Sequence, residues 1–217
     1  MSSNTDLAAD VGDELFWDPK LDSTAIAVSA DDGRITMRGT VGSLREKVEA
    51  KKAAERVFGV VSVDNQLQVR LLNDDKRADA DLRGDVLQAL MLDSLVPKTV
   101  DAKVQDGFVT LTGTANWQYQ RDEAEFVTSN IVGALDVYDE IDLVYPTPQS
   151  GDVQHSIKKA FKRNAALDAD DLSISTKDGT VTLKGTVSSW AEHDEAIDAA
   201  WAAPGVTSVR DDLTVAY

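Results

Sequence analysis

Hydrophobic and polar residues alternate in three short stretches that recur along the chain. Ile26 and Val28 lead to Asp32-Gly33, and Ile35 and Met37 follow it. Val100, Ala102 and Val104 lead to Asp106-Gly107, with Val109 and Leu111 beyond. Leu172 and Ile174 lead to Asp178-Gly179, with Val181 and Leu183 beyond. Alternation with period two marks a strand with one buried face. An Asp-Gly pair between two such runs predicts a type I′ hairpin, whose two central residues both take positive φ. Asp32, Gly33, Asp106, Gly107, Asp178 and Gly179 are therefore assigned to turns and not to chemistry. The other strand faces read Thr36, Arg38, Thr40; Thr110, Thr112, Thr114; and Thr182, Lys184, Thr186. That face is polar and free of the aromatics that a base-stacking sheet displays.

Beyond each hairpin the period changes to that of a helix. Ala50, Ala53, Ala54 and Val57 share one helical face, as do Ala124, Val127, Thr128 and Ile131, and Ala196, Ala199, Ala200 and Ala203. Ser43 with Glu46, and Ser189 with Glu192, have capping-box spacing; Asn116 marks a weaker cap in the middle copy. Gly59, Gly133 and Gly205 end these helices. A last strand follows each, and a break in its apolar pattern near Asp64-Asn65 predicts a bulge. A further helix precedes each hairpin: Val86, Leu87, Leu90 and Met91 in copy two, and Val153, Ile157, Ala160 and Phe161 in copy three. In copy one it is expected to be short and interrupted at Gly12, with Val11, Leu15 and Phe16 apolar.

Glycines at 33, 39 and 59 recur at 107, 113 and 133 and at 179, 185 and 205, with steps of 6 and 20 each time. The fold expected is α+β: three tandem α-β-β-α-β modules, each a three-stranded mixed sheet with two helices on one face. Module 1 spans 1–72, a linker 73–80, module 2 81–145, a linker 146–150, and module 3 151–217.

Charge alters the functional picture. The net charge is −16, and residues 81–145 alone carry 12 acids and 4 bases. Such a field repels phosphate backbones, so nucleic acid is not an expected partner. Cysteine is absent, which removes disulfides and thiolate metal sites. The two histidines, His155 and His193, read as solvated surface groups. No nucleophile elbow, phosphate loop or dinucleotide fingerprint is present, so neither an enzyme nor a cofactor is expected. The N-terminus lacks a basic and an apolar leader segment, which points to the cytoplasm, or to the periplasm if a leader has been removed.

The run Leu21-Asp22, Ile26-x-Val28, Asp32-Gly33-x-Ile35-x-Met37-x-Gly39-Thr40-Val41 and Gly59-Val60-x-x-Val63 resembles the BON domain. So does Asp178-Gly179-Thr180-Val181-Thr182-Leu183-Lys184-Gly185-Thr186-Val187 with Gly205-Val206-x-x-Val209. Copy two departs at Gly133-Ala134-Leu135-Asp136-Val137. The resemblance covers nearly the whole chain. It implies a bacterial source and a non-enzymatic role in osmotic or envelope stress, through binding of phospholipid, apolar ligands, proteins or potassium.

The function expected is a stress-response binding protein, an array of interaction or chaperone-like modules that engages a protein or an apolar ligand. Trp117 with Tyr119 is the candidate aromatic contact. Lys158, Lys159, Lys162 and Arg163 form a basic stripe suited to phospholipid or an acidic partner. A second stripe, Arg45, Lys47, Lys51, Lys52 and Arg56, is suited to the same partners, and both stripes read first as solvated helix faces with i,i+4 partners such as Lys51 with Glu55. Cation binding, of potassium or calcium, is the alternative, with Asp136, Asp139, Glu140 and Asp142 as ligands and Asp170 and Asp171 nearby in sequence only.

Overall fold

A computed structural model describes residues 4–72, 75–144, 153–164 and 172–216. Asp170, Asp171 and the second linker lie outside them. Module 1 runs α1 (Asn4–Trp17), β1 (Ile26–Asp31), β2 (Arg34–Val41), α2 (Leu44–Glu55) and β3 (Ser62–Val69). Module 2 runs α3 (Asp79–Leu92), β4 (Asp101–Gln105), β5 (Phe108–Ala115), α4 (Gln118–Ser129) and β6 (Asp136–Leu143). Module 3 runs α5 (Val153–Arg163), β7 (Leu172–Lys177), β8 (Thr180–Val187), α6 (Trp190–Trp201) and β9 (Ser208–Val215). The chain forms two compact units: residues 1–115 with 120–142, and residues 116–119 with 143–217.

Each module is a three-stranded sheet with the second hairpin strand in the middle. The hairpin is antiparallel and the last strand joins in parallel, as the pairs β2–β3 and β8–β9 show. The parallel partner has to cross over through a helix, which is why a helix separates them. The hairpin aspartates have φ of 46°, 52° and 50°, and the glycines after them 79°, 81° and 79°, as a type I′ turn requires. Each turn glycine's carbonyl then accepts from the segment entering the last strand: from Val61 N–H at 2.7 Å, Leu135 at 2.9 Å and Thr207 at 2.9 Å. The middle glycine of the repeat has a different cause. A Cβ on Gly39 would fall on the Ala25 carbonyl oxygen, and one on Gly113 on that of Thr99.

Both helices of module 1 lie on one sheet face. Leu7, Val11 and Leu15 of α1 and Ala50, Ala53 and Ala54 of α2 pack with Ile35, Met37 and Leu67 into a single core. Module 3 repeats this with Ile157 and Phe161 of α5, Ala196 and Ala200 of α6, and Val181 and Leu183. The alanines let helix backbones approach the sheet closely, and the larger side chains of the first helix fill the remaining space.

Three details differ from the sequence reading. Helix α1 is not shortened: it runs 14 residues through Gly12, as long as α3, because three fully buried anchors outweigh one glycine. No bulge interrupts the last strand, since β2 and β3 stay in register from Arg34↔Ser62 to Val41↔Val69. The polar residue there occupies an inward position that would otherwise be apolar, which kept the strand from looking continuous. The polar sheet face of module 2 does carry aromatics: Phe108 of β5 stacks on Tyr138 of β6 with centroids 6.2 Å apart.

Candidate functional site

The first helix of each module is anchored by three residues four apart: Leu7, Val11, Leu15 in α1; Leu82, Val86, Leu90 in α3; and Val153, Ile157, Phe161 in α5. Aligned on these anchors, the helices differ sharply in what they show to solvent. α1 has four acids and no base, α3 three acids and one base, and α5 no acid with Lys158, Lys159, Lys162 and Arg163. The two positions after the last anchor are Phe16-Trp17, Met91-Leu92 and Lys162-Arg163. The first four of these residues are apolar and at least 70% exposed.

In module 3, α5 and β7 enclose a cleft of about 490 Å³ lined by His155, Lys158, Lys159, Lys162, Phe161, Leu172 and Ile174. Its floor is core: Phe161 is 1% exposed, Leu172 9% and Ile174 6%. Its rim is cationic, because residues 155, 158, 159 and 162 recur at helical spacing on the outer side of α5. Gln154 ties the helix to the strand by donating from Nε2 to the Ile174 carbonyl at 2.5 Å. Lys162 and Arg163 sit in the last turn, where the helix dipole favours positive charge. Among the described residues, the three lysines and Arg163 meet no carboxylate. A concave apolar floor under a cationic rim can hold an anionic group attached to an apolar stem.

The second basic stripe is differently placed. Arg45 bonds Glu49 at 2.7 Å, Lys51 lies 3.5 Å from Glu55, and Arg56 bonds Glu14 and Asp18 at 2.9 Å each. Lys47 reaches Asp136 of module 2 at 2.9 Å, and the Arg45 guanidinium stands 4.5 Å over the Phe126 ring. These two contacts join modules 1 and 2 within the first compact unit. Neither module 3 nor the rest of the repeat has the same residues there: Phe126 is matched by Lys52 and Asp198, and Asp136 by Ser62 and Ser208.

The four carboxylates considered for a cation do not converge. Asp136, Glu140 and Asp142 alternate on one face of β6, and Asp139 points to the other. Asp136 is engaged by Lys47, and Asp139 by Arg121 at 2.6 Å. The Glu125 carboxyl is pushed above the ordinary carboxylate range by burial and then by Asp139, Asp122 and Asp136. Among the described residues, no three histidines or carboxylates stand together as metal ligands. Tyr119 is 51% exposed, while Trp117 is half-buried just before α4, at the position where Ser43 and Ser189 cap their helices.

His193 is not the solvated group the sequence implied. Its side chain is 12% exposed and lies between Asp194 at 3.1 Å and Asp211 at 2.8 Å. The Trp190 ring lies 4.7 Å away. The hydrogen bond with Asp194 raises its pKa most, and Asp211 adds to this against the effect of burial. The repeat reveals a common brace: Asn65, Asp139 and Asp211 hold the carbonyl of Lys47, the side chain of Arg121 and the ring of His193 respectively. Each pair lies 18 residues apart, so the polar residue inside the last strand has a partner on the preceding helix.

The BON domain matches three times, at residues 3–70, 78–145 and 150–217. The chain belongs to the BON-domain family. Its three BON domains are thus the three modules described above. Osmotically-inducible protein Y of Escherichia coli (strain K12) is 31% identical over 140 residues, 62% of this chain and 70% of that protein. Among solved structures, CdsD, a structural protein of the type III secretion system of Chlamydia trachomatis, is similar at 15% identity with a TM-score of 0.27, covering 97% of this chain and 92% of that one. At that score the likeness carries no argument. Among the described residues, no helix is long and apolar enough to cross a membrane.

Proposed function

We propose that this chain is a non-catalytic binding protein of the osmotic stress response. Its third BON domain supplies the binding surface, the cationic cleft beneath α5. The ligand is an anionic group, carboxylate or phosphate, borne by a larger partner. The observation that carries the reading is the cleft itself: His155, Lys158, Lys159 and Lys162 ring an apolar floor in a chain of net charge −16. Stray surface lysines would be scattered among acids on such a protein, whereas α5 has none. The osmotic part of the reading rests on the relative named for osmotic induction.

Binding of a fluorescent hexaglutamate peptide, and of vesicles containing anionic phospholipid, tests the site and separates the two sources of anion. Wild-type protein is expected to bind at least one probe at low salt. Lys158→Gln/Lys159→Gln/Lys162→Gln should weaken that binding at least about tenfold, in line with the loss of several charge-assisted contacts. Equal binding by the variant would remove the cleft from consideration.

A further inference from the structure

The face of module 2 that meets module 1 has a counterpart in module 3. On module 2 it is built by α4 and β6: the Phe126 ring lies 4.5 Å from the Arg45 guanidinium, and Asp136 takes Lys47 at 2.9 Å. An aromatic ring and a carboxylate thus receive two cations from the start of α2. The repeat maps this face onto α6 and β9, with Asp198 in the place of Phe126 and Trp201 in that of Ser129. There α6 and β9 border a cleft of about 320 Å³. Its floor is apolar, because Ile197, Trp201 and Val209 are half-buried and pack on the core of the module. Its rim carries Asp194 and Asp198, one turn apart on α6, and Asp211 of β9, all exposed. Asp194 and Asp211 each give one oxygen to His193, and the Asp194 side chain remains 66% exposed. α6 contains no lysine or arginine, so the rim stays negative even with His193 protonated.

We propose that this cleft is a docking site for a cationic helix of a partner protein. The helix sets an arginine or lysine against Trp201 and the rim carboxylates, as α2 sets Arg45 and Lys47 on module 2. The site is separate from the cleft under α5, since β7 and β9 are opposite edges of one sheet, and the inference does not depend on that cleft. The contact between modules 1 and 2 supplies the precedent: this face of the repeat already holds a basic helix once in the chain. Within the repeat, α2 alone has two cations at the positions used. α4 has Tyr119 and Arg121 there, with Arg121 turned to Asp139, and α6 has Ala191 and His193. Arg45 and Lys47 themselves are engaged by Glu49 and Asp136. A helix of that kind for module 3 therefore comes from another protein. The net charge of −16 draws in a cationic partner and opposes a second copy of this chain.

The test titrates the full chain with a fluorescent alanine-leucine helical peptide bearing arginines, at about 100 mM salt, where distant charges are screened. Anisotropy should report binding that Asp194→Asn/Asp198→Asn weakens at least about tenfold, through loss of charge-assisted contacts. Asp10→Asn/Asp13→Asn on α1 removes the same charge elsewhere and should leave binding within about twofold. In the wild-type protein, the backbone amide NMR signals that shift on titration should be those of residues 193–201 and 208–211. That map needs no variant, so it decides the matter even if a substitution disturbs folding. Equal weakening by the two pairs would reduce the effect to net charge and overturn the docking, as would shifts centred on another face. Spermidine binding as tightly as the peptide would also overturn it, because the apolar floor would then contribute nothing. Self-association of the chain alone that Asp194→Asn/Asp198→Asn abolishes would give the cleft to a second copy and overturn the partner named here.

Discussion

Two helices of this chain carry runs of lysine and arginine that look alike in sequence, and the structure gives them opposite surroundings. On α2 and just past its end, Arg45, Lys47, Lys51 and Arg56 each hold a carboxylate of their own unit. On α5, Lys158, Lys159, Lys162 and Arg163 hold none among the described residues. The difference comes from the neighbours. α2 contains Glu46, Glu49 and Glu55 and lies beside the acidic α1 and module 2, while α5 contains no acid. A basic stripe therefore indicates a binding surface only when its counter-charges are missing, and the two stripes should respond differently to the same kind of substitution.

The largest effect is expected at Glu49, which is 3% exposed and receives both Lys20 at 2.9 Å and Arg45 at 2.7 Å. Arg45 Nη1 is already buried without an acceptor. Glu49→Gln takes the charge from the centre of that cluster and should cost the first unit about 2–3 kcal/mol in urea unfolding, because partly buried cations lose their counter-charge. A cost below about 0.5 kcal/mol would mean that α2's pairs are as idle as ordinary surface pairs.

Arg56 is the next lever, and pH sharpens it. Its hydrogen bond, followed by that of the Lys20 backbone, holds the Asp18 carboxyl below the ordinary value of 3.8. A carboxylate depressed on folding contributes stability above its unfolded pKa and loses it as pH falls through the folded value. Arg56→Gln should therefore cost about 1 kcal/mol at neutral pH. The gap between variant and wild type should close as melts are taken below pH 4. A gap that persists in acid would assign the loss to packing of the arginine stem.

The helix-to-strand brace allows the same contrast between modules 2 and 3. In module 2 the brace is the ion pair Arg121–Asp139, whereas in module 3 His193 is held above its ordinary 6.5 by Asp194 and then Asp211. A histidine raised on folding gives stability that is complete below its unfolded pKa and fades as pH rises through the folded one. Module 3 should lose about 0.5–1 kcal/mol between pH 6 and 9, a loss that His193→Gln abolishes and module 2 does not share. Thermal melts with the His193 ring proton followed by NMR would show it, and a pH-independent melt would dissociate the brace from the ring's charge.

Local chemistry made most of the fold legible. Asp-Gly turns, period-two strands and Ser-x-x-Glu caps are decided within a few residues, and three copies of each made them plain. Ser43 and Ser189 do cap their helices, accepting from Glu46 and Glu192 N–H at 3.2 and 3.1 Å. Glu46 and Glu192 reach back one residue further than the simple box, to the N–H groups of Gly42 and Ser188 at 2.7 Å each. What stayed hidden depends on partners far along the chain. Asn65, Asp139 and Asp211 looked like a fault in a strand because their helix partners lie 18 residues earlier. Aligning the copies on those pairs would have exposed the brace. The cleft of module 3 was half visible, since its lysines stood out while its floor of Phe161, Leu172 and Ile174 is assembled only on folding.

The smallest effect has a sign that separates a binding stripe from a structural one. On α5, Lys158 stands four residues before Lys162, and Lys159 four before Arg163. Like charges at this spacing repel across one helical turn. The two residues of the last turn are favoured by the helix dipole, and Lys158 and Lys159 lie too far from that end to share the benefit. Lys158→Gln/Lys159→Gln should therefore leave module 3 unchanged or more stable, by no more than about 0.5 kcal/mol, and more clearly at low salt. A structural stripe such as α2's would lose stability under the same treatment. If urea unfolding shows a loss above about 1 kcal/mol, these lysines have partners in the folded chain, and α5 belongs in the same class as α2.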